Sequence, residues 1–502
     1  MQSRGITTRL LRDGSWNLAG VLLPVPVAVI AVPYLLRALG DARFGLLTLA
    51  WAVMAYFTLF NLGLGRASTH EIAALPAHGS RDRLRRIVWT SLAGHAGLGV
   101  IGCALLVALA GPLAAAFNLE PSLEAEFRAA LMLLALSVPV LLLTTALGAV
   151  LEGFGRFDLV NVVRLPASLW TYAAPLAIVT WSAGLPAVIG TIVLGRALAL
   201  LAYVAAVSRV AADVWPPVAP SRDVLRPMVA LGFWVTVGTI VLPLVTAWDR
   251  FALGVRVSAE AVGHYAAPYE VVTKLWTISG ALMGAAFPAF TAVWSTNRPE
   301  AGLVLRHAAA ALYMAAVPAG VVIVATAPLL LPWWLGEAFA GEAVPVAQWL
   351  TIGVVASVIA QAGFTFLQAT GRAGWVGRLQ LSEVLVYSVG AWLAAGTWGA
   401  AGVAVVWSAR AFVDCVALLV AANRQVRSVG VPAFTRAQWL GLLLVPAGAF
   451  AAVLGAETAE AGVVLRSVLA CVAGGGALAW GWWGLIDRQT RAGWLLRLQR
   501  TP

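Results

Sequence analysis

Apolar residues run along this chain in long windows. They follow neither the i, i+3, i+4 stripe of a soluble helix nor the alternation of a half-buried strand. A bilayer core about 30 Å thick is crossed by about 20 apolar residues in a helix. Windows of that size occur at 15–38, 44–65, 87–111, 128–151, 162–182, 186–208, 228–248, 262–292, 303–331, 345–368, 379–397, 399–422, 438–456 and 463–486. The pattern therefore predicts an all-α, polytopic membrane protein with about 14 transmembrane helices. Arg4, Arg9 and Arg12 ahead of the first run resemble a signal peptide. That run holds Pro24, Pro26 and Pro33, continues too long and has no clear small-residue cleavage site, so it reads as an uncleaved helix.

Composition supports this. The 502 residues are 61% hydrophobic and 11% charged, whereas a soluble domain is roughly a quarter charged. The apolar excess must face lipid, which excludes soluble enzymes, disordered regulators and disulfide-stapled secreted domains. The net charge of +11 is nearly all arginine, Lys274 being the only lysine, a skew expected of a GC-rich genome. Arginines on inner loops explain this charge without nucleic acid as a partner. Arg66, Arg81, Arg83, Arg85, Arg86, Arg156, Arg209, Arg222, Arg226, Arg298, Arg372, Arg424 and Arg427 fall on one set of loops. Glu120, Glu124, Glu126, Glu260, Glu337, Glu342, Glu457 and Glu460 gather on the other, so both termini are expected in the cytoplasm. Trp181, Trp215, Trp333, Trp334, Trp398, Trp482 and Trp483 lie near window ends, as interface anchors do. Cys103, Cys415 and Cys471 are odd in number, lack metal spacing and read as packing residues.

The chain also repeats itself. Leu151-Glu152-Gly153-Phe154-Gly155-Arg156 matches Leu367-Gln368-Ala369-Thr370-Gly371-Arg372 at an offset of 216 residues, and Pro112-Leu113 matches Pro328-Leu329 at the same offset. Six helices thus face six, in the same orientation because six is even, as in parallel-repeat transporters with a central cavity. The expected divisions are 1–215, a six-helix half; 216–430, the second half; and 431–502, two extra helices and a cytoplasmic tail.

Pro33-Tyr34-Leu35-Leu36-Arg37-Ala38-Leu39-Gly40, Phe44-Gly45-Leu46-Leu47 and Asn61-Leu62-Gly63-Leu64-Gly65 resemble the opening of polysaccharide flippases. Asp249-Arg250-Phe251-Ala252-Leu253-Gly254, Ala261-Val262-Gly263-His264-Tyr265 and Leu335-Gly336-Glu337-Ala338-Phe339 resemble later signatures. The family is the Wzx-type flippases of the multidrug/oligosaccharidyl-lipid/polysaccharide exporter superfamily. The resemblance implies alternating access that carries an undecaprenyl-pyrophosphate-linked oligosaccharide from the cytoplasmic to the outer leaflet of a bacterial inner membrane. It admits polysaccharide polymerase and glycosyltransferases as partners and calls for no cofactor.

Ionisable residues inside a span cost about 2.5–3.5 kcal/mol each on insertion scales, so each needs a reason. Arg196, Glu270, Lys274, Arg410 and Asp414 stand near mid-span, with Arg164, Asp249, Arg250 and Glu383 shallower. Glu270–Lys274 and Arg410–Asp414 have i,i+4 spacing and share a helix face. They are either self-neutralising pairs that ease insertion or lumen groups whose acids, Glu270 and Asp414, respond to a coupling ion. Arg196 has no acid three or four residues away and must face water, a carboxylate of another helix or an anion. Guanidinium forks suit pyrophosphate oxygens. Given the resemblance, Arg196, Lys274 and Arg410 are the expected basic lining for substrate, with a cross-bundle salt bridge as the other reading of Arg196. Pro166, Pro175, Pro243, Pro288 and Pro318 are hinge candidates.

Two rival classes remain. A multidrug or cation exporter of the same superfamily would usually have twelve helices and carboxylates as its main lumen charges. An integral-membrane glycosyltransferase needs catalytic acids in outer loops, and Glu120, Glu124 and Glu126 read as lacking companions. No P-loop is present, and His95 and His264 lack metal-spaced partners. The sequence is read as a transporter and not an enzyme.

Overall fold

The computed structural model describes residues 24–59, 64–73, 81–117, 119–182, 184–226, 248–429, 432–458, 462–487 and 490–491. The expected span 228–248 lies almost wholly outside them, as do Pro243, Glu460 and the basic N-terminal residues. Within them every regular element is helical: α1 Pro24–Leu39, α2 Asp41–Leu59, α3 Leu64–Ala73, α4 Arg81–Ala116, α5 Pro121–Gly153, α6 Phe157–Ile178, α7 Leu185–Val210, α8 Ala259–Val272, α9 Trp276–Thr296, α10 Ala301–Leu335, α11 Glu337–Ala369, α12 Ala373–Arg427, α13 Arg436–Thr458 and α14 Val463–Trp480. A further helical stretch covers 248–256. Nine helical segments among the described residues are long and apolar enough to cross a membrane. The chain is a multi-pass membrane protein.

One expected span changes shape. The window 262–292 is broken by a 3-10 turn, Thr273–Leu275, between α8 and α9. There the Thr273 hydroxyl takes the Tyr269 carbonyl at 2.7 Å and the Thr277 hydroxyl takes the Lys274 carbonyl at 2.7 Å. Hydroxyls that bind nearby carbonyls in this way compete with the helical ladder. The windows 379–397 and 399–422 are the two helical arms of α12, which are parted as expected at Gly399, where the backbone is not helical (φ 59°, ψ −145°).

The repeat is visible in the backbone. α5 runs from Pro121 to Gly153 and α11 from Glu337 to Ala369, each of 33 residues and each end displaced by 216. α6 begins at Phe157 and α12 at Ala373, again 216 apart. α5 and α11 also end alike. Arg156 N–H reaches the Leu151 carbonyl at 2.9 Å and Gly155 N–H the Glu152 carbonyl at 2.9 Å. The second copy has Arg372 to Leu367 at 2.8 Å and Gly371 to Gln368 at 3.1 Å. This is the Schellman arrangement, which places a left-handed residue, preferably glycine, just beyond the helix.

The chain forms two compact units, Met1–Gly263 and His264–Pro502. In the first, α5 is central, with α4, α7, α3 and α2 packed around it. The 248–263 segment belongs to this unit because it packs there. Gly45 of α2 lies so close to the Ala259 carbonyl that a Cβ would clash, Gly254 meets Phe117 in the same way, and Arg250 Nη1 donates to the Thr48 carbonyl at 3.1 Å. Near the Arg81 end of α4, Arg85 Nε and Trp89 Nε1 donate to the Asp213 and Val214 carbonyls at 2.7 and 2.9 Å, and Thr90 accepts from Ser221 N–H at 3.0 Å. In the second unit α11 is central, between α10, α12 and α9, while α13 and α14 pair and lean on α10. His307 of α10 holds Asp487 at 2.9 Å, beyond the end of α14.

Candidate functional site

In the first unit Arg196 sits on α7, one residue after Gly195. A Cβ on Gly195 would lie 2.2 Å from Trp170 of α6, so only glycine admits this approach. Trp170 Nε1 completes the contact by donating to the Thr191 carbonyl at 2.9 Å. Beside it lies a crevice of about 290 Å³ lined by Ala167, Trp170, Leu198 and Ala199 among others. Arg196 Nη1 is buried without a hydrogen-bond partner, and among the described residues no acid pairs with it. The cross-bundle salt bridge is thus not formed among the described residues. Such a guanidinium retains its full capacity to bind an anion.

The other two expected cations lie in the second unit. Lys274 occupies the 3-10 turn between α8 and α9 and pairs with Glu270 at 3.7 Å, both side chains partly exposed. Short 3-10 turns inside long helices often mark functional hinges. Arg410 is on the second arm of α12, and its ion pair is not simply the i,i+4 pair with Asp414. Its Nη1 donates to Glu383 Oε2 at 3.4 Å across from the first arm. Asp414 lies within the electrostatic reach of the same guanidinium.

Aromatic rings link these two centres. Arg410 Cζ lies 5.4 Å from the Tyr387 ring and 5.9 Å from the Trp407 ring. Trp407 lies 6.3 Å from both Tyr269 and Trp276, the residues flanking the Glu270–Lys274 pair, and Tyr269 stacks on Tyr265 at 5.9 Å. Trp276 Nε1 donates to Ser357 Oγ at 2.7 Å. The structure therefore places Lys274, Glu270, Arg410 and Asp414 around one aromatic cluster and Arg196 in the other unit. Arg196 and Arg410 stand at similar positions along equivalent helices but two residues out of register. At about 100° per residue, that puts them on different faces.

Several expectations need correction. Asp249 and Arg250 are 0% and 5% exposed and the Glu383 side chain is 10% exposed, so these groups are packed within the protein and do not reach out to water. Each is enclosed by neighbouring helices, which a window count cannot register. Arg164 bonds Asn161 at 2.6 Å. Glu126 does have companions: Arg43 at 3.0 Å and the Leu185 N–H at the start of α7. Its carboxylate so ties α2, α5 and α7. His95 is fully buried, its Nδ1 on the Ser91 carbonyl at 2.8 Å and its Nε2 without a partner among the described residues. His264 packs edge-on against Phe339 at 4.6 Å. The three cysteines are free, and among the described residues no group of His, Cys, Asp and Glu could hold a metal. Trp181, Trp333, Trp398 and Trp483 are strongly exposed, as interface anchors require. Trp276, at the start of α9, and Trp407, within the second arm of α12, are the aromatics joining the two charged pairs, and neither was singled out by its place in the sequence.

A family model described as polysaccharide biosynthesis protein matches residues 10–294. The chain belongs to that family. A protein of Shigella flexneri named "Putative O-antigen transporter" is 25% identical over 413 residues, covering 82% of this chain and 96% of its own. Among solved structures, an inward-facing multidrug resistance transporter of the MATE family, in the MOP superfamily, shares the fold. Its TM-score is 0.71 and its identity 13%, covering 82% of this chain and 98% of that one. The lipid II flippase MurJ in an inward closed conformation superposes with TM-score 0.65 and 11% identity, covering 91% and 98%. These are transporters and a flippase, so the family places this chain among transporters rather than enzymes. The Wzx-type resemblance and the helical transporter fold agree with that placement.

Proposed function

We propose that this chain flips a lipid-linked oligosaccharide, specifically one carried on undecaprenyl pyrophosphate, from the cytoplasmic to the outer leaflet of a bacterial inner membrane. Transport proceeds by alternating access of two six-helix halves, with both chain termini in the cytoplasm, and supplies cell-surface polysaccharide synthesis. The observation that carries the reading is Arg196, a guanidinium at mid-helix with a buried nitrogen and no acidic partner among the described residues. A carrier of cations has no use for such a group, whereas a pyrophosphate is bound by it in bidentate fashion. Lys274 and Arg410 complete the basic lining, and Glu270 and Asp414 are the acids that answer to a coupling ion. The similarity to a protein named as an O-antigen transporter supports the same substrate class.

The second reading, a multidrug or cation exporter, draws on the fold shared with the MATE transporter and on the acids around Arg410. One assay separates the two. Proteoliposomes are given a labelled undecaprenyl-pyrophosphate oligosaccharide, and its transbilayer movement is measured for the wild type and Arg196→Ala. Movement lost in the variant establishes both flipping and the role of Arg196. Equal movement keeps the flippase but demotes Arg196 to structure. No movement in either, with export of a small cation, overturns the reading.

A further inference from the structure

The crevice of about 290 Å³ between α6 and α7 has no role in the proposed transport. Its lining side chains are apolar, and some of them stand open at its mouth: Val162 is 61% exposed and Leu198 48%. An exposed apolar surface on a pair of membrane helices faces acyl chains.

The repeat shows that the crevice is written into the sequence. At the offset of 216, the wall residues Ala167, Gly195, Ala199 and Ala202 correspond to Glu383, Ala411, Cys415 and Leu418. Each is the smaller member of its pair. The same helix pair in the second copy therefore carries more bulk at all four positions. Trp170 goes the other way, standing where the second copy has Val386. Its ring is fixed against Gly195 by the bond to the Thr191 carbonyl at 2.9 Å, so it closes one end of the crevice and does not fill it.

The other end leads to a cation. Arg209 follows Ala202 by seven residues, two turns or about 10 Å along α7, and continues the same face. It is exposed, and among the described residues no ion pair or hydrogen bond holds its side chain. Tyr203 donates to the Val160 carbonyl at 3.3 Å, which sets the level of the two helices and brings the start of α6 beside Arg209. There Arg156 is taken by Asp158 through two hydrogen bonds of 2.9 and 2.8 Å, and Asp213 pairs with Arg81 at 3.4 Å. Arg209 is left available to an anion. The second copy has Gln425 in its place. Small wall residues and cation thus occur together in the first copy and are replaced together in the second.

We infer that this crevice binds an anionic phospholipid, with one acyl chain between α6 and α7 and the phosphate on Arg209. Basic positions where membrane helices meet the surface recognise lipid headgroups in this way. The leaflet rests on the orientation proposed above, which makes it the inner one, whereas the site itself does not. The lipid held here is a resident of the first unit and not the lipid that is moved, because Arg196, the group proposed for pyrophosphate, is not among the lining residues.

The test is photolabelling of the full chain in lipid bilayers. One probe is phosphatidylglycerol with a diazirine in an acyl chain, the other a phosphatidylcholine with the same chain, and adducts are located by peptide mass spectrometry. Labelling is expected on the crevice walls, about fivefold stronger with the anionic probe, the preference that one arginine confers near a membrane surface. Arg209→Gln puts the residue of the second copy at an exposed position and should bring the two probes level. Ala202→Leu does the same inside the crevice and should lower labelling there by both probes. Labelling at Leu385 and Val386 of α12, 72% and 75% exposed, should stay unchanged, since these report the lipid that surrounds the protein everywhere. Wild-type labelling no stronger in the crevice than at Leu385 and Val386 overturns the inference, a result that needs no variant to fold. So does an anionic preference that survives Arg209→Gln. Displacement of the probe by undecaprenyl pyrophosphate, at a concentration where unlabelled phosphatidylglycerol has no effect, also overturns it and gives the crevice to the transported lipid.

Discussion

Gly155 and Gly371, 216 residues apart, both adopt a left-handed backbone, with φ 69° and 83°, and close equivalent helices with the same pair of hydrogen bonds. Neither would bring an added Cβ within 4 Å of another atom, so space does not select glycine at these positions. Backbone conformation does. Gly155→Ala and Gly371→Ala should each destabilise by about 1 kcal/mol through strain alone. Thermal unfolding of the two variants in detergent should show matching losses. A loss confined to one would mean that the two helix ends are not equivalent.

Glu126 accepts from Arg43 and from the Leu185 N–H, so one carboxylate fastens three helix ends. Glu126→Ala strands that N–H at the start of α7 and should cost about 0.5–2 kcal/mol, the range for a lost helix cap. Arg43→Ala should cost less, because its side chain is 43% exposed and water screens the pair. Denaturation midpoints of the two variants would give the order, and a larger loss for Arg43→Ala would refute the capping role.

Arg196 and Arg410 should respond in opposite ways to leucine. Arg196→Leu removes an uncompensated guanidinium from an apolar helix and is expected to hold or raise the melting temperature. Arg410→Leu leaves Glu383 and Asp414 facing each other without a cation and should lose about 3–5 kcal/mol, the cost of breaking a buried pair. If Arg196→Leu melts earlier than wild type, Arg196 has a structural partner.

Asp487 provides a pH dependence. Burial pushes its carboxyl up, but the Thr490 N–H, the Thr490 hydroxyl and His307 outweigh burial and hold it below the usual carboxylate range. A lowered folded value means that its stabilisation is fully present above the ordinary carboxylate value of about 3.9 and fades only as pH falls below that. The melting difference between wild type and Asp487→Asn should be constant across neutral pH and shrink in strong acid. A difference that grows on acidification would contradict the sign.

The apolar windows located most of the helices, because a bilayer demands the same length and composition each time. The repeat was legible in Gly155-Arg156 and Gly371-Arg372, where a left-handed residue is nearly always glycine. The acid that holds Arg410 was not. Spacing along one helix pointed to Asp414, but Glu383 is 27 residues away on the other arm. The fold of α12 at Gly399 brings it near, and no period within a helix encodes that fold. Arg43 and Glu126, 83 residues apart, were hidden for the same reason. Trp276 and Trp407 were lost among 22 tryptophans, most of which do mark helix ends.

The seating of Gly45 against the Ala259 carbonyl sets an order of assembly during synthesis. The stretch that closes the first unit lies well inside the second copy of the repeat, so a nascent chain that has finished one copy still has an open face on α2. That face is covered only when residues up to Gly263 have left the ribosome and insertion machinery. The duplicated stretch of sequence and the piece that folds are therefore different lengths of chain. A gene split at the repeat boundary should yield two fragments that must be co-expressed to fold, and the first of them made alone should be degraded or aggregate.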